Sequence, residues 1–532
     1  MTRVLAIWLD GFDMALADRW NLPSLGALAE EGAWAHLDNG TAHLSGLSGE
    51  HLVTGLGPDD AGRASAVTFD PATYECRQDG FLVAPALGAV PTVVFDPCYL
   101  DLDACPPTVT GITDWGAHDP GGPPQERPDG VRSELHARFG TYPAAPWVYA
   151  TPWASPARCE AMGRDLVEAV DRRAQIATWL LGERLPDWRL ALIGVSEPHS
   201  ATEGLFHGVD PEHPLHAHAS APSAARSLRA VYDAADRLVG SLLGAFPDAV
   251  HVVFSLHGMG RNTSDVTTMA LLGELLARWS GQRTPDTDFA LDAHGVAVLG
   301  EDESWSTAVS TALTPPSEHR RPPVSAVRRA ARHLPDPLRS ALRRLRGARP
   351  APGLEWMPLL RHQPRWPEMA AFALPSFYDG RVRINVRGRE GQGRVDPGDY
   401  DQVLSEVEEL LRGCRDPRTG GPAVGAMHRT AADPFAVGVT DADLVVDWAD
   451  GVYGLDHPEL GTIGPLPPRR TGGHTSPLGR LLVHGDGIDP GDLGTRSSFD
   501  VLPTLLDLSG AAPPHRLTGR ALRVPRIGEP AP

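Results

Sequence analysis

Three short apolar runs, each ending abruptly in a polar residue, constrain this chain more than any other feature. Residues 4–9 (VLAIWL) stop at Asp10-Gly11, residues 189–195 (RLALIGV) at Ser196-Glu197, and residues 250–254 (VHVVF) at Ser255-Leu256-His257-Gly258. Uninterrupted runs of this length suit strands buried on both faces, which is the situation in a parallel sheet covered by helices. Helical spacing fills the intervals: Leu228, Val231, Ala234, Leu238 and Leu242 share one face over about 224–243, and a second helix spans about 159–181. The alternation predicts an α/β fold with a mostly parallel sheet sandwiched by helices. Such sheets bind ligands beyond the carboxyl ends of their strands, so the polar residues there are the first candidates for chemistry.

Two stretches break the pattern. Residues 119–129 (DPGGPPQERPD) and 313–353 are rich in Pro, Gly or charge and read as surface excursions. The second is a basic block, expected to form a solvated amphipathic helical hairpin, with an anion-steering lid as the sharper alternative. After it, 372–387 alternates around Asp379-Gly380 as a β-hairpin does, and a helix follows at about 399–411. The expected organisation is a core over 1–312, a smaller inserted α+β cap subdomain with the basic hairpin over 313–430, and the rest of the core over 431–532.

Composition narrows the chemistry. With 532 residues and 42% hydrophobic content the chain can bury a full core. Its 48 basic residues are all Arg, which removes Schiff-base and Lys-dependent P-loop mechanisms. A net charge of −19 repels polyanions, so a nucleic-acid polymer is not an expected partner. Cys76, Cys98, Cys105, Cys159 and Cys414 are scattered with no CxxC pair, as in a reducing compartment. The first apolar run is too short for a secretion signal, and no run is long enough for a membrane span, so the expected location is cytoplasmic.

Five polar clusters fall where the strand pattern places active-site groups. Asp10 follows the first strand, where a turn-former or helix cap is the plainer role. Ser45 lies in TAHLSGLSGEHLVTG, in a small-residue turn before a helical segment at about 50–54, where the plainer role is an N-cap. The third cluster runs from Glu197 through His199, Glu203 and His207. The last three stand at i, i+4 and i+8, and His and Glu at i and i+4 can share one divalent ion. His213, His216 and His218 beyond them are expected to be exposed and inert. His257 in SLHGMG and His474 in RRTGGHT complete the set. Arg469 and Arg470 can clasp an anion as bidentate donors, with surface ion pairs as the plainer alternative.

The order Asp, Ser, acid/His run, HGMG, GREG, GGH resembles the alkaline phosphatase superfamily, specifically its type I phosphodiesterase and nucleotide pyrophosphatase branch. The resemblance covers essentially the whole chain. It implies an alkaline-phosphatase-like core, with Asp10 as a metal ligand and Ser45, nine residues before Thr54-Gly55, as nucleophile. It implies ligands at His199, Glu203 and His474 on one side and Asp10, Ser45 and His257 on the other, with Glu197 and His207 as possible extra ligands. Ser48, Arg389, Arg469 and Arg470 are the implied substrate contacts, with surface ion pairs as an equal alternative for the arginines. The chain departs from the branch at His199 and Glu203, where many members have an Asp and a His, and at Leu256, where they have an acid. The implied cofactor is one or two divalent ions, zinc first, manganese or iron next. The implied activity is hydrolysis of a small phosphate ester through a phospho- or nucleotidyl-enzyme. The altered ligands leave two alternatives: transferase, isomerase or lyase chemistry on a specialised metabolite, or a non-catalytic binding protein.

Overall fold

The computed structural model describes residues 2–524 apart from 41–46, 79, 81–83, 120, 263, 283–284, 302, 315–352, 437 and 477. The basic hairpin expected within 313–353 therefore lies almost wholly outside the described residues.

All three apolar runs form strands of one nine-stranded sheet. Its order is Gly491–Ser497, Ala33–Asp38, Leu478–His484, Ala249–Ser255, Arg3–Leu9, Leu190–Val195, Thr92–Phe95, Val109–Ile112 and Glu126–Arg127. The five strands from Ala249–Ser255 to Val109–Ile112 are mutually parallel. Leu478–His484 runs against both its neighbours, and Glu126–Arg127 runs against Val109–Ile112. Residues 119–129 are thus no simple surface excursion, since part of them closes the sheet edge.

The central strand shows why the run is unbroken. Leu5, Ile7 and Leu9 face one layer, with Leu166, Val170, Leu228 and Val231 of the helices Pro156–Trp179 and Ala221–Ala245. Val4, Ala6 and Trp8 face the other, with Leu52 and Val53 of the helix Ser48–Thr54 and Leu502 and Leu505 of the helix Val501–Leu508. Each such Leu or Val contributes about 1.5–3 kcal/mol when fully buried, so neither face tolerates a polar residue before the strand ends. Register then fixes the site: Leu9 pairs with Val195 and Trp8 with Phe254, which brings Asp10, Ser196 and Leu256-His257 to one edge.

A separate hydrophobic cluster supports the smaller unit. Ala371–Leu374 and Gly380–Ile384 form the expected hairpin, with Ala371 opposite Ile384. The sheet continues through Leu444–Trp448 to Val424–Arg429, and the helix Tyr400–Gly413 packs on it through Leu404, Val407 and Leu411. The small sheet therefore runs past residue 430, and the chain rejoins the large sheet at Leu478. No helix among the described residues is long and apolar enough to cross a membrane. The five cysteines are free thiols.

Candidate active site

The turn that ends the first strand is shaped for one neighbour. Gly11 has a φ of +57°, and a Cβ there would sit 2.5 Å from the His199 ring. Glycine alone accepts both the backbone conformation and the approach. Asp10 Oδ2 then accepts a hydrogen bond from His199 Nδ1 at 2.9 Å. Burial works to raise the Asp10 carboxyl, but the charge and hydrogen bond of His199 outweigh it, with His257 and His118 adding. The net result holds Asp10 at about 2.

With Nδ1 committed, His199 presents Nε2 to the rest of the cluster. That atom lies 2.9 Å from His474 Nε2 and 3.5 Å from Glu203 Oε1. His199 and Glu203 sit one turn apart on the helix Glu197–Leu205, as their spacing predicts. His118 stacks on His199 with ring centroids 3.9 Å apart; its Nδ1 meets Ser200 Oγ at 2.9 Å and its Nε2 lies 3.3 Å from Glu203 Oε2. Burial, reinforced by the His199 charge, pushes His118 well below its ordinary pKa and keeps it neutral, the form that ligates metals. His474 lies between His199 and His257, 4.2 Å from the latter by ring centroid, with Tyr378 against its other side.

His118, His199 and Glu203 form the group of three buried donors, among the described residues, whose ligand atoms lie within 4.8 Å of one another. Two imidazoles and a carboxylate, each imidazole fixed at Nδ1 by a hydrogen bond, are a donor set that fits one divalent ion. The opposite side offers Asp10 and His257, while Leu256 is buried in the apolar layer and supplies no donor. The cluster opens on a cavity of about 490 Å³, lined also by Ser48, Cys98, Tyr99, Trp305, Trp356 and Tyr378.

The sequence-predicted residues divide clearly. Asp10, His199, Glu203, His257 and His474 converge; Ser48, Arg469 and Arg470 line the same cavity. Ser45 lies outside the described residues. Ser48 accepts a hydrogen bond from Asn39 Nδ2 at 3.0 Å. Arg469 and Arg470 are buried, which corrects the surface-pair alternative: both bind Asp265, and Arg470 also pairs with Glu203.

Three candidates are elsewhere. Glu197 is turned back under the sheet edge into a fully buried pair with Arg173, which also holds Asp96. His207 bonds Ser220 Oγ at 3.0 Å, away from the cavity. Arg389 is clasped by Asp443 and Glu390 inside the smaller unit. His213, expected to be exposed, is buried.

His118 and Asp119 were missed, although they follow Val109–Ile112, a strand whose end obeys the rule that found the others. Asp96 fixes their loop by accepting the Trp115 and Gly116 amides, each at 2.8 Å. Asp119 faces the cavity, where Tyr99 OH donates to it and Tyr149 OH lies 3.4 Å away; burial raises its carboxyl.

No protein-family model matches the chain, and no curated protein matches its sequence. In structure it is similar to an inactive variant of murine ectonucleotide pyrophosphatase/phosphodiesterase 5 in complex with AMP. That likeness has 11% identity, a TM-score of 0.47, and coverage of 97% of this chain and 98% of that one. A second structure of the murine protein shows 12% identity and a TM-score of 0.45, with 97% of both chains covered. The human counterpart gives 12% identity and 0.40, with the same coverage. These likenesses concern the run of the chain; the chemistry of the site rests on its own residues.

Proposed function

We propose that this chain is a metal-dependent hydrolase of small phosphate esters, of the phosphodiesterase and nucleotide pyrophosphatase type within the alkaline phosphatase superfamily. The observation that carries the reading is the convergence of Asp10, His118, His199, His257 and His474 on one side of an aromatic-lined cavity, with Glu203 beside His118 and His199. His118, His199 and Glu203 would hold a divalent ion, zinc by the chemistry of two imidazoles and a carboxylate. A bound ion supplies Lewis acidity and lowers the pKa of an adjacent hydroxyl.

The chain's own groups do the rest. Asp10 holds the His199 tautomer by accepting from Nδ1, and Ser200 does the same for His118. Ser45 is the nucleophile by the resemblance of its motif: its Oγ forms a bond to phosphorus as the ester oxygen leaves, and water later releases the phosphoryl group. Five free thiols accord with a cytoplasmic setting.

Leu256 favours a second reading, in which the same fold and ion serve transferase, isomerase or lyase chemistry, because an acid implied by the resemblance is replaced by an apolar side chain. Elemental mass spectrometry and aryl phosphodiester hydrolysis on wild type, His474→Ala and Ser45→Ala separate the two. The hydrolase reading expects bound metal and Ser45-dependent turnover. Metal without hydrolysis moves the case to the second reading, and a metal-free, inactive wild type contradicts both.

A further inference from the structure

Asp265 is 1% exposed and stands behind the cavity lining. Its carboxylate holds two guanidiniums at once. Arg470 donates from Nε to Oδ2 at 2.6 Å and from Nη2 to Oδ1 at 2.8 Å, and Arg469 Nη1 donates to Oδ2 at 2.9 Å. Asp265 is itself fixed, because Asn262 Oδ1 accepts its amide at 3.1 Å and the Asn262 amide donates to Thr471 O at 3.0 Å. Arg470 Nη1 also donates to Glu203. Glu203 thus links the guanidinium to the ion-binding donors.

An Arg side chain carries five N–H bonds in a planar fork. Asp265 takes one from Nε and one from Nη2, and Glu203 takes one from Nη1, so one hydrogen on each Nη is left for a ligand in the cavity that Arg470 lines. Donors held on a fixed plane suit the oxygens of a phosphate. Burial lowers Arg470 to about 10, which still leaves it charged at neutral pH.

We infer that Arg470 is the anion-binding cation of this site and Asp265 its positioning residue. The inference rests on the phosphate-ester reading. It gives the transition state a preorganised positive group.

Calorimetric titration of inorganic phosphate into the zinc-loaded full chain tests it, with zinc content and thermal unfolding recorded for every variant. Wild type is expected to hold about one equivalent of zinc and to bind phosphate. Arg470→Ala is expected to keep the zinc and lose at least about tenfold in phosphate affinity, restored in part by added guanidinium; Arg470→Lys recovers less, because an ammonium is a point charge. Asp265→Asn, with Arg470 present but unclasped, is expected to weaken phosphate binding by a smaller factor at unchanged zinc content. Unchanged phosphate affinity in folded Arg470→Ala overturns the inference. Absence of aryl phosphodiester turnover with Arg470-dependent phosphate binding intact overturns the hydrolase reading and supports the anion site.

Discussion

Two groups of histidines, one gathered around His199 and one running from His207 to His218, meet opposite fates. In the first group, ring nitrogens face carboxylates and one another beside a cavity: His199 meets Asp10, Glu203 and His474, and His118 meets Glu203. In the second, they are spent on hydroxyls and backbone. His207 Nε2 and His218 Nδ1 both bond Ser220 Oγ, at 3.0 and 2.8 Å, and His216 Nδ1 bonds the His207 carbonyl at 2.8 Å. His213 Nδ1 accepts the Leu215 amide at 3.0 Å. Residue type is alike in the two. What separates them is the strand end: His199 follows Leu190–Val195 directly, whereas the second group lies past the helix and ties down the chain before Ala221–Ala245.

The contrast is broken or sharpened first by paired alanine substitutions. His199→Ala is expected to lose the bound metal and about 10³-fold in kcat/KM, the order of a lost electrostatic element. His207→Ala is expected to keep both, at a cost of about 1–3 kcal/mol in stability from its lost buried hydrogen bond. Elemental mass spectrometry, steady-state kinetics and denaturant melts read all three. Equal metal loss in the two variants would erase the distinction.

The next effect isolates how His199 is held. Asp10→Asn leaves an oxygen at the hydrogen bond but removes the charge, and metal affinity is expected to fall by roughly 10–100-fold. Competition with a chromogenic chelator measures this, and an unchanged affinity would mean that Asp10 does not tune the cluster.

Acid should act on the second group through folding. Burial pushes His213 down to about 3, and its Nδ1 must stay unprotonated to accept the Leu215 amide. Between about 6.5 and 3 the unfolded chain binds a proton there that the folded chain does not, so stability falls as pH falls through that window. In metal-free protein, His213→Asn, which keeps an acceptor, is expected to lose less Tm than wild type between pH 6.5 and 4.5. Parallel losses would place the acid sensitivity elsewhere.

The smallest effect on catalysis belongs to Arg389. Its partners are Asp443 and Glu390, so Arg389→Ala is expected to leave KM for an aryl phosphodiester unchanged while destabilising the smaller unit by about 1–3 kcal/mol. A raised KM would return Arg389 to the substrate contacts.

Much of this was legible in the chain itself. Burial on both faces forces an apolar run, and the end of the run marks the edge of the sheet, so Asp10 and His257 could be placed without coordinates. Helical periodicity put His199 and Glu203 on one face. The same rule overreached at Glu197, because the first residue of a helix can turn back toward the sheet, where Arg173 waits in the helix Pro156–Trp179. It fell short at His118, because the Pro- and Gly-rich stretch from residue 119 drew attention to a loop when the informative element was the four-residue strand before it. The Arg470–Asp265 clasp joins residues 205 positions apart and has no local signature. Nor do Trp305, Trp356 and Tyr378, which reach the cavity from outside the large sheet.

The account's central claim is that the first histidine group, and not the second, holds a metal. Anomalous diffraction at the zinc edge, from crystals of the full chain purified with zinc, tests it most directly. The account predicts one strong peak within about 2.0–2.2 Å of His118 Nε2, His199 Nε2 and a Glu203 oxygen. A peak between His207 and His213, or a zinc-free cluster in protein grown with excess zinc, would contradict it.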